Sequence, residues 1–375
     1  MMNQRSEVRG PVFATLRLGR QESGAARQQS IAIGSNRLLL NILPVLAAAM
    51  LFFLAPLPAT AQEAKQRTSV VRLTPEVKKA ITRGLEFLAE SQLEDGSFGT
   101  GNKPGGTALA LMSFMVQGHI PGEGKYGKTM AKAIDFLIAC EKKKGYIHEG
   151  SSRGMYEHGL AVLALSEAWG QSQDPRIRET LMRAVNCTLN AQNSEGGWRY
   201  GPNPTGSADL SCAAMQMVAL ASARESGIAV PEKAMQRAVD YVVSCEVRAT
   251  GGFAYQTLAG APMGGAGYGR SAAGTLALML CGARNHPAAR GGAAFVYSHP
   301  DSVYESAGNF GYSHYYAAQA MYQAGDKYFN RYYSKISKAL LKKQSENGDW
   351  GGAVGTGFSI LTLGVPYRFL PIYQK

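Results

Sequence analysis

The chain has 375 residues and a formal net charge of +12; residues 1–62, with six arginines and two glutamates, carry +4 and leave +8 on the remainder. The remaining positive charge lies mostly on predicted outer helix faces and forms no basic stripe interleaved with aromatic residues. This pattern argues against nucleic-acid binding and leaves attraction to a membrane surface or an anionic polysaccharide open.

The cysteines give no sign of a disulfide framework or a zinc site, because their number is odd and each lies within an apolar helical pattern. We expect them to be small buried core residues. They are Cys140, Cys187, Cys212, Cys245 and Cys281.

The N-terminal region has the features of a secretory signal. Residues 38–57 form an apolar run broken by one asparagine and two prolines, and a small-residue cleavage motif, ATA, follows at 59–61. We therefore expect a leader at 1–62, a linker at 63–72 and a folded domain at 73–375 of an exported protein, periplasmic or extracellular. The alternative is an uncleaved leader that anchors the protein, since the run approaches the ~20 residues that span a bilayer.

A sequence repeat organises the rest of the chain: a basic residue is followed nine positions later by Gln or Glu, and then by glycine and an aromatic residue. The five pairs are Arg83/Gln92, Lys132/Glu141, Arg183/Gln192, Arg237/Glu246 and Lys335/Gln344. Their first residues are 49, 51, 54 and 98 positions apart, and since 98 is twice 49, we expect a sixth, degenerate copy near Arg290. Such a period is typical of units that bury their apolar faces against their neighbours.

Each unit is predicted to contain two helices of different character. In the first unit, Pro75 begins an amphipathic helix with Val77, Ile81 and Leu85 at helical spacing, and an apolar segment follows at 107–116. Further amphipathic segments, which predict outer helices, lie at 130–141, 177–192, 234–245 and 332–343. Further apolar segments, which predict buried inner helices, lie at 157–168, 210–223, 272–280, 312–323 and 358–365.

Six helix pairs can form an open superhelix or close into a ring. An open stack needs polar end units, whereas the last inner segment here is still apolar, so the pattern favours a closed all-α (α/α)6 toroid. The sequence shows no alternating segment long enough to add a sheet. It leaves the oligomeric state open.

The repeat carries a family resemblance. Residues 83–98 (RGLEFLAESQLEDGSF), 192–198 (QNSEGGW) and 344–350 (QSENGDW) resemble the QW repeat of squalene and oxidosqualene cyclases and of protein prenyltransferase β subunits. Residues 73–375 as a whole are similar to the single-toroid prenyltransferase/squalene-oxidase-repeat proteins of bacteria. The resemblance implies a toroid in which each Gln ends an outer helix and an aromatic residue stacks on it, and it implies no particular activity.

The cyclases of this superfamily protonate an alkene with an aspartic acid in an Asp-x-Asp-Asp string. The matching residues here, 207–211 (SADLS), retain only Asp209, which the resemblance makes the candidate general acid. An aspartate directly before a helix is also a common N-cap, which is the alternative interpretation. Without flanking carboxylates, we expect no reason for the pKa of Asp209 to rise.

The prenyltransferases hold zinc with an Asp-x-Cys pair and a distant histidine. His314 matches that histidine, but the corresponding stretch 269–273 (GRSAA) lacks the Asp-x-Cys pair. Cys212 follows Asp209 by three positions instead of two, and it lies one unit too early. We therefore predict no metal and no cofactor.

Polar and aromatic residues cluster at the starts of the inner helices, which would all lie at one end of a ring. Helix N-termini carry partial positive charge, so this rim would favour an anionic or hydroxyl-rich ligand. The alternatives are that the histidines are core residues with satisfied hydrogen bonds and that the aromatic residues only pack the mouth. The candidate ligand-binding residues at the helix starts are Glu157, His158, Arg270, Tyr312, His314 and Tyr315, and the preceding loops add Trp198, Tyr200 and Tyr268.

Several functions fit this pattern. The first is a toroid that binds an isoprenoid, a lipid or another apolar small molecule in its central cavity. The second is a cyclase that uses Asp209 as its acid. The third is an (α/α)6 polysaccharide lyase, with Arg270 neutralising a uronate and Tyr312 or His314 as base, or a hydrolase using Glu157 with Asp209. A structural role in an envelope assembly is the fourth.

Overall fold

The computed structural model describes residue 71, residues 73–204 and residues 206–373, and this part is mainly helical. The predicted leader and nearly all of the predicted linker lie outside the described residues. Six outer helices alternate with six inner ones. The outer helices are α1 (Pro75–Glu90), α3 (Gly127–Ala139), α5 (Pro175–Ala191), α7 (Glu232–Ser244), α9 (Pro287–Ser298) and α12 (Asp326–Lys343). The inner helices are α2 (Lys103–Met115), α4 (Gly154–Ser172), α6 (Leu210–Glu225), α8 (Tyr268–Leu280), α11 (Phe310–Ala324) and α13 (Gly352–Gly364).

The inner helices form a closed ring. Each contacts the next along the chain, and α13 returns to contact α2. The outer helices surround this ring, and α12 contacts α1 across the same junction. An open superhelix would not form these contacts, so the predicted (α/α)6 toroid is confirmed.

The two kinds of helix differ in the way that the sequence predicts. On α1, the buried residues Val77, Ile81, Leu85 and Leu88 form one face. This helix therefore has one apolar stripe and one solvent-facing side. On α2, every residue from Pro104 to Met115 is buried. An inner helix is covered on all sides because it packs on two inner neighbours and on outer helices.

Strand structure in the described part is limited to two short ribbons. Strands β1 (Glu246–Val247) and β2 (Gly252–Phe253) pair antiparallel, and β3 (Gln256–Leu258) pairs antiparallel with β4 (Ala261–Met263). The second ribbon lies between α7 and α8 in the chain and carries an exposed Leu258. A short helix, α10 (Val303–Ser306), precedes α11. None of the described helices combines the length and apolarity needed to span a bilayer.

The glutamines of the sequence repeat connect neighbouring units. The Nε2 atom of Gln92 donates to the carbonyl oxygens of Gly96 and Thr129, at 3.0 and 2.9 Å, and so joins its own turn to the next outer helix. Gln192 and Gln344 make the corresponding pairs of bonds, to Gly196 and Ala234 and to Gly348 and Ala80. The last of these joins the sixth unit to the first.

The arginines of the repeat contribute to three of the junctions from the other side. Arg237 donates to Gln192 Oε1 at 3.3 Å, and Arg83 donates to Gln344 Oε1 at 3.5 Å. In the second junction, the Arg183 Nε atom lies 2.5 Å from Glu141 Oε1 in an ion pair. The spacing of nine residues therefore serves contacts between units.

The glycine of the repeat is required by close backbone approach. Gly196 has φ +92°, and a Cβ atom there would lie 2.3 Å from the carbonyl oxygen of Arg237. The equivalent glycines meet the basic residue of the next unit in the same way. Gly251 of the fourth unit meets Gly291 of the fifth, which places the predicted degenerate copy one residue from Arg290, on α9.

The C-terminal segment crosses the end of the ring at which the inner helices finish. After α13, Phe369 lies beside Gly118, just beyond α2, and Pro371 approaches Gly170 in the last turn of α4. Leu370 and Ile372 are buried, and the 3-10 turn Pro371–Tyr373 contacts α4 and α6. This segment covers that end of the barrel, and the opposite end holds the cavity.

All five cysteines are buried, as predicted. Burial raises the pKa of Cys140 to about 11 and that of Cys245 to about 12. These thiols are therefore protonated core groups at neutral pH.

Candidate functional site

A cavity of about 560 Å³ opens where the inner helices begin. We call it the main lobe. Four inner helices each contribute two lining residues four positions apart, one helical turn, so that a single face of each helix is presented to the cavity. These pairs are Gly105/Leu109, Tyr156/Leu160, Ser211/Met215 and Val354/Phe358. The remaining lining residues are Asn102, Ser151, Arg153, Asn309, Phe310, Gly311, Tyr312 and Gly355.

A second cavity of about 360 Å³, the polar lobe, adjoins the first. It lies between the beginnings of α6, α8 and α11. It shares Ser211, Asn309 and Tyr312 with the main lobe. Its other lining residues are Tyr255, Gly267, Tyr268, Gly269, Arg270, Gly308 and Ser313.

Asp209 is fully buried as the N-cap of α6, directly behind the cavity wall. Its Oδ1 atom accepts from the Cys212 backbone N–H at 2.9 Å and from the Tyr156 hydroxyl at 3.5 Å. Its Oδ2 atom lies 3.4 Å from Nη1 of Arg199. The capping role predicted as the alternative is therefore present, together with contacts to a cavity-lining phenol and to an arginine.

Burial raises the pKa of Asp209, against the lowering effects of the Cys212 N–H bond and of Arg199. The expectation that this pKa has no reason to rise is wrong. The physical cause is desolvation of the carboxylate, which acts without any neighbouring acid. Sequence could not show it, because the groups that cover the carboxyl come from other segments of the chain.

Aromatic residues surround the Asp209–Arg199 pair. The hydroxyls of Tyr200 and Tyr255 lie 2.5 Å apart, and the Arg199 guanidinium lies 4.5 and 5.7 Å from the centroids of their rings. The Arg153 guanidinium lies 5.3 Å from the centroid of the Tyr200 ring. Two arginines and two phenols therefore stand at the mouth of the cavity. Tyr200 belongs to this group without being part of the lining itself.

His158 faces the outer ring and lies outside the cavity lining. Its Nδ1 accepts from the Ile147 backbone N–H at 3.1 Å, so the neutral ring carries its proton on Nε2. Nε2 lies 3.1 Å from the Ala184 carbonyl oxygen and 3.0 Å from Thr188 Oγ1, both on α5. Burial lowers the pKa of His158 to about 4. These contacts favour the structural alternative.

His314 has a similar environment on α11. Nδ1 lies 2.9 Å from the Tyr332 hydroxyl on α12, and Nε2 lies 3.1 Å from the Val303 carbonyl oxygen. Burial lowers its pKa to about 4 as well. A buried histidine held in this way is poorly placed to act as a base toward a ligand in the cavity.

Three further candidates are buried away from the lining. Trp198 donates from Nε1 to the Thr188 carbonyl oxygen at 2.7 Å. Glu157 accepts from the Glu149 backbone N–H at 2.9 Å through Oε2, while its Oε1 atom is buried without a partner in the described part. Tyr315 packs its ring 5.4 Å from that of Phe358. Their role in ligand binding stays a prediction.

The cavity brings together three of the predicted residues: Tyr268, Arg270 and Tyr312. The Arg270 Nε and Nη2 atoms donate to the carbonyl oxygens of Phe253 and Gly265, at 3.0 and 2.7 Å. The Tyr312 hydroxyl is buried and makes no hydrogen bond of standard geometry. Burial raises the pKa of Tyr312, although Ser211 lies close enough to lower it in part.

Several lining residues were not predicted from the sequence, including Tyr156, Ser211, Tyr255 and Phe358. The signal that could have found most of them is helical phase, because cavity-facing positions recur four apart on each inner helix. Glu157 and His158 were chosen as candidates because their side chains are titratable. They follow Tyr156 in the sequence but lie on other faces of α4. Tyr255 lies in a loop and carries no such signal.

No protein-family model and no curated protein sequence matches the chain. Solved structures do match. An inactive variant of the α-1,6-mannanase GH76A of Salegentibacter sp. HEL1_6, in complex with α-1,6-mannotriose, has a TM-score of 0.58 at 11% identity, over 78% of this chain and 99% of that one. The cellobiose 2-epimerase of Spirochaeta thermophila has a TM-score of 0.58 at 14% identity, over 79% and 98%.

A variant of the type II terpene cyclase MstE from Scytonema, in complex with geranylgeranyl dihydroxybenzoate, has a TM-score of 0.55 at 13% identity, over 79% of this chain and 98% of that one. These neighbours are toroid enzymes with different substrates. At such low identities the likeness establishes the shared fold alone, and the chemistry has to be argued from this chain's own residues.

Proposed function

We propose that the toroid binds an amphiphilic small molecule, an isoprenoid or another lipid, in its central cavity. The observation that carries this proposal is the gradient along the main lobe: Leu160 and Met215 lie one turn deeper than Tyr156 and Ser211 on the same helices. A ligand with an apolar chain and a polar end would match it. The terpene cyclase of the same fold, described with an isoprenoid-like substrate, adds support.

The experiment is extraction of copurified lipid. Protein produced with its full chain is purified and extracted with organic solvent, and the extract is analysed by mass spectrometry. We expect one isoprenoid or lipid species near a 1:1 ratio. Leu160→Trp should remove it by filling the main lobe, and the control Leu93→Trp, at a partly exposed outer position, should retain it. A ligand kept by Leu160→Trp would contradict the proposal.

A second candidate is acid-catalysed cyclisation of an isoprenoid. It is favoured by the raised pKa of Asp209 and by the contact of this carboxyl with Tyr156, which lines the cavity. Asp209→Asn keeps an N-capping side chain and so should preserve the fold. Loss of cyclised product with retained binding would support this function. Product formation by the variant would exclude it.

We do not extend the proposal to polysaccharide cleavage. Hydrolysis uses two carboxylates roughly 5 to 10 Å apart, and the described residues that line the two lobes include neither Asp nor Glu. For a lyase, His314 lies toward the outer ring, which leaves Tyr312 as the only one of the two predicted bases in the cavity. Assay of uronate polymers for unsaturated ends tests this directly.

We further propose that the protein is exported. The support is the order of the apolar run at 38–57 and the small-residue motif at 59–61. Sequencing of the N-terminus of protein from the periplasmic fraction should find a new terminus near residue 62. Recovery of the intact leader in the membrane fraction would instead indicate an anchor.

A further inference from the structure

The polar lobe contains a cationic group that is held in place but not neutralised. Arg270 donates to two backbone carbonyl oxygens, which orient the guanidinium without removing its charge. In the described part of the chain, no carboxylate forms an ion pair with it. Arg199, at the same end of the ring, is by contrast paired with the buried Asp209. Arg270 therefore offers a positive charge to the lobe.

A buried hydroxyl without a hydrogen bond of standard geometry lies at the junction of the two lobes. Tyr312 lines both of them, and its hydroxyl oxygen is shielded from solvent without a standard hydrogen bond. A buried hydroxyl that lacks a good hydrogen bond costs stability unless a ligand supplies the partner. Ser211, which also lines both lobes, is its neighbour. A ligand atom that accepts hydrogen bonds would satisfy both side chains.

Two helices direct uncapped N-termini at the same space. Neither α8 nor α11 has a side chain that caps it, whereas α6 is capped by Asp209. The first three backbone N–H groups of α8 and of α11 have no acceptor within the described residues. Such groups add partial positive charge and hydrogen-bond donors. The described lining of the lobe contains no acidic side chain to compete with an anion.

We propose that the polar lobe binds the anionic head group, a carboxylate or a phosphate, of an amphiphile whose apolar chain fills the main lobe. This inference rests on the proposed binding function and narrows its ligand class. Arg270 and the free N–H groups would hold the anion. The Tyr312 and Ser211 hydroxyls would bond it where head and chain meet.

The test compares three probes that share one chain: geranylgeraniol, geranylgeranoic acid and geranylgeranyl phosphate. Binding to the purified, delipidated full chain is measured by titration calorimetry at two salt concentrations. At least one anionic probe should bind ten times or more tightly than the alcohol, with an affinity that falls as salt rises. The acid and phosphate arms show which head group the lobe prefers.

Variants connect this preference to the lobe. Arg270→Met should reduce the affinity of the anionic probes at least tenfold and change that of the alcohol less than twofold. Tyr312→Phe should reduce the affinity of the anionic probes severalfold. Arg248→Met, which removes an exposed arginine outside the lobe, is the matched control. It should change neither the affinity of the anionic probes nor that of the alcohol. Arg270→Lys, which keeps the charge, should retain part of the affinity for the anionic probes. It therefore distinguishes the loss of the charge from a folding defect.

Failure of this inference is distinguishable from failure of the proposed function. If all three probes bind equally well and without salt dependence, the toroid binds apolar chains and the head-group assignment is wrong. If an anionic probe binds more tightly but Arg270→Met leaves that preference unchanged, the anion lies elsewhere and the assignment is also wrong. If no probe binds, the proposed function itself is contradicted.

Discussion

Two inner helices on different sides of the ring carry the same string, a tyrosine followed two positions later by a histidine. On α4 these are Tyr156 and His158, and on α11 they are Tyr312 and His314. Two steps along a helix of 3.6 residues per turn rotate a side chain by about 200°. The tyrosines therefore line the cavity, while the histidines point into the layer between the rings.

The two faces differ in how well their polar groups are satisfied. Both histidines have partners for both ring nitrogens. The Tyr312 hydroxyl has none of standard geometry, and Tyr156 makes one long contact to Asp209. The two histidines between the rings thus join neighbouring helices, whereas the two tyrosine hydroxyls on the inner face remain able to form hydrogen bonds with a ligand.

Acidification should have the largest effect on stability. Burial lowers the pKa of His158 and His314 to about 4 in the folded protein, from 6.5. Between these values the unfolded chain binds more protons, so the free energy of unfolding should fall as pH falls from 6.5 to 4, by about 3 kcal/mol per histidine. Urea unfolding across this range measures it. A double variant, His158→Gln with His314→Gln, should lose most of this dependence.

At neutral pH, His158→Leu should destabilise the protein by about 2 to 3 kcal/mol, because it leaves the buried Ile147 N–H without an acceptor. Tyr156→Phe on the same helix is the matched control. It loses only a 3.5 Å bond and should cost about 0.5 kcal/mol or less. Denaturant unfolding of both variants makes the comparison. Equal losses would contradict the difference between the faces.

Substitutions that enlarge a side chain should destabilise the protein more on the buried face of α4 than on the face that lines the cavity. Val162 is fully buried on α4, and Val162→Phe should cost about 1 to 3 kcal/mol through overpacking. Leu160 borders the main lobe, so Leu160→Phe has space to enter and should change stability by less than about 0.5 kcal/mol. Thermal unfolding of the two variants without ligand decides between them. A larger loss for Leu160→Phe would mean that the cavity is not open to it.

Removing a phenolic hydroxyl should give the smallest effect. Tyr312→Phe takes away a buried hydroxyl with no standard partner, so we expect no loss and a gain of up to about 1 kcal/mol in the ligand-free protein. Tyr332→Phe is the control between the rings. Its hydroxyl lies 2.9 Å from His314 Nδ1, and its loss should cost about 1 to 2 kcal/mol. Destabilisation by Tyr312→Phe would show that its hydroxyl is already bonded.

The fold could be predicted from sequence because its signals are local and repeated. The nine-residue spacing marks contacts between units, such as Arg237 with Gln192, and the period even placed the degenerate copy within one residue of Gly291. Amphipathic and apolar segments separated the outer helices from the inner ones. The short β3–β4 ribbon was not predicted, since strands of three residues give almost no alternating pattern.

The cavity could be predicted only in part, because its composition depends on helical phase and on contacts between distant segments. Arg270 and Tyr312, which were predicted at the starts of inner helices, and Tyr268, which was predicted in a preceding loop, are among the lining residues. His158 was selected for its chemistry, and its hydrogen bonds to α5 became visible only in three dimensions. The raised pKa of Asp209 depends on burial, which no adjacent residue in the sequence indicates.

The C-terminal segment that covers the far end of the ring has a kinetic consequence. Within the described residues, Leu370 and Ile372 are buried at that end, and the cavity lined by Tyr156 and Tyr312 lies at the opposite end, where we expect exchange with solvent to take place. A molecule bound as proposed would enter tail first and could leave only after its head was released. The residence time of the ligand would then depend on how fast its head group dissociates from the polar lobe. The apolar lining of the main lobe would determine which hydrocarbon chains fit.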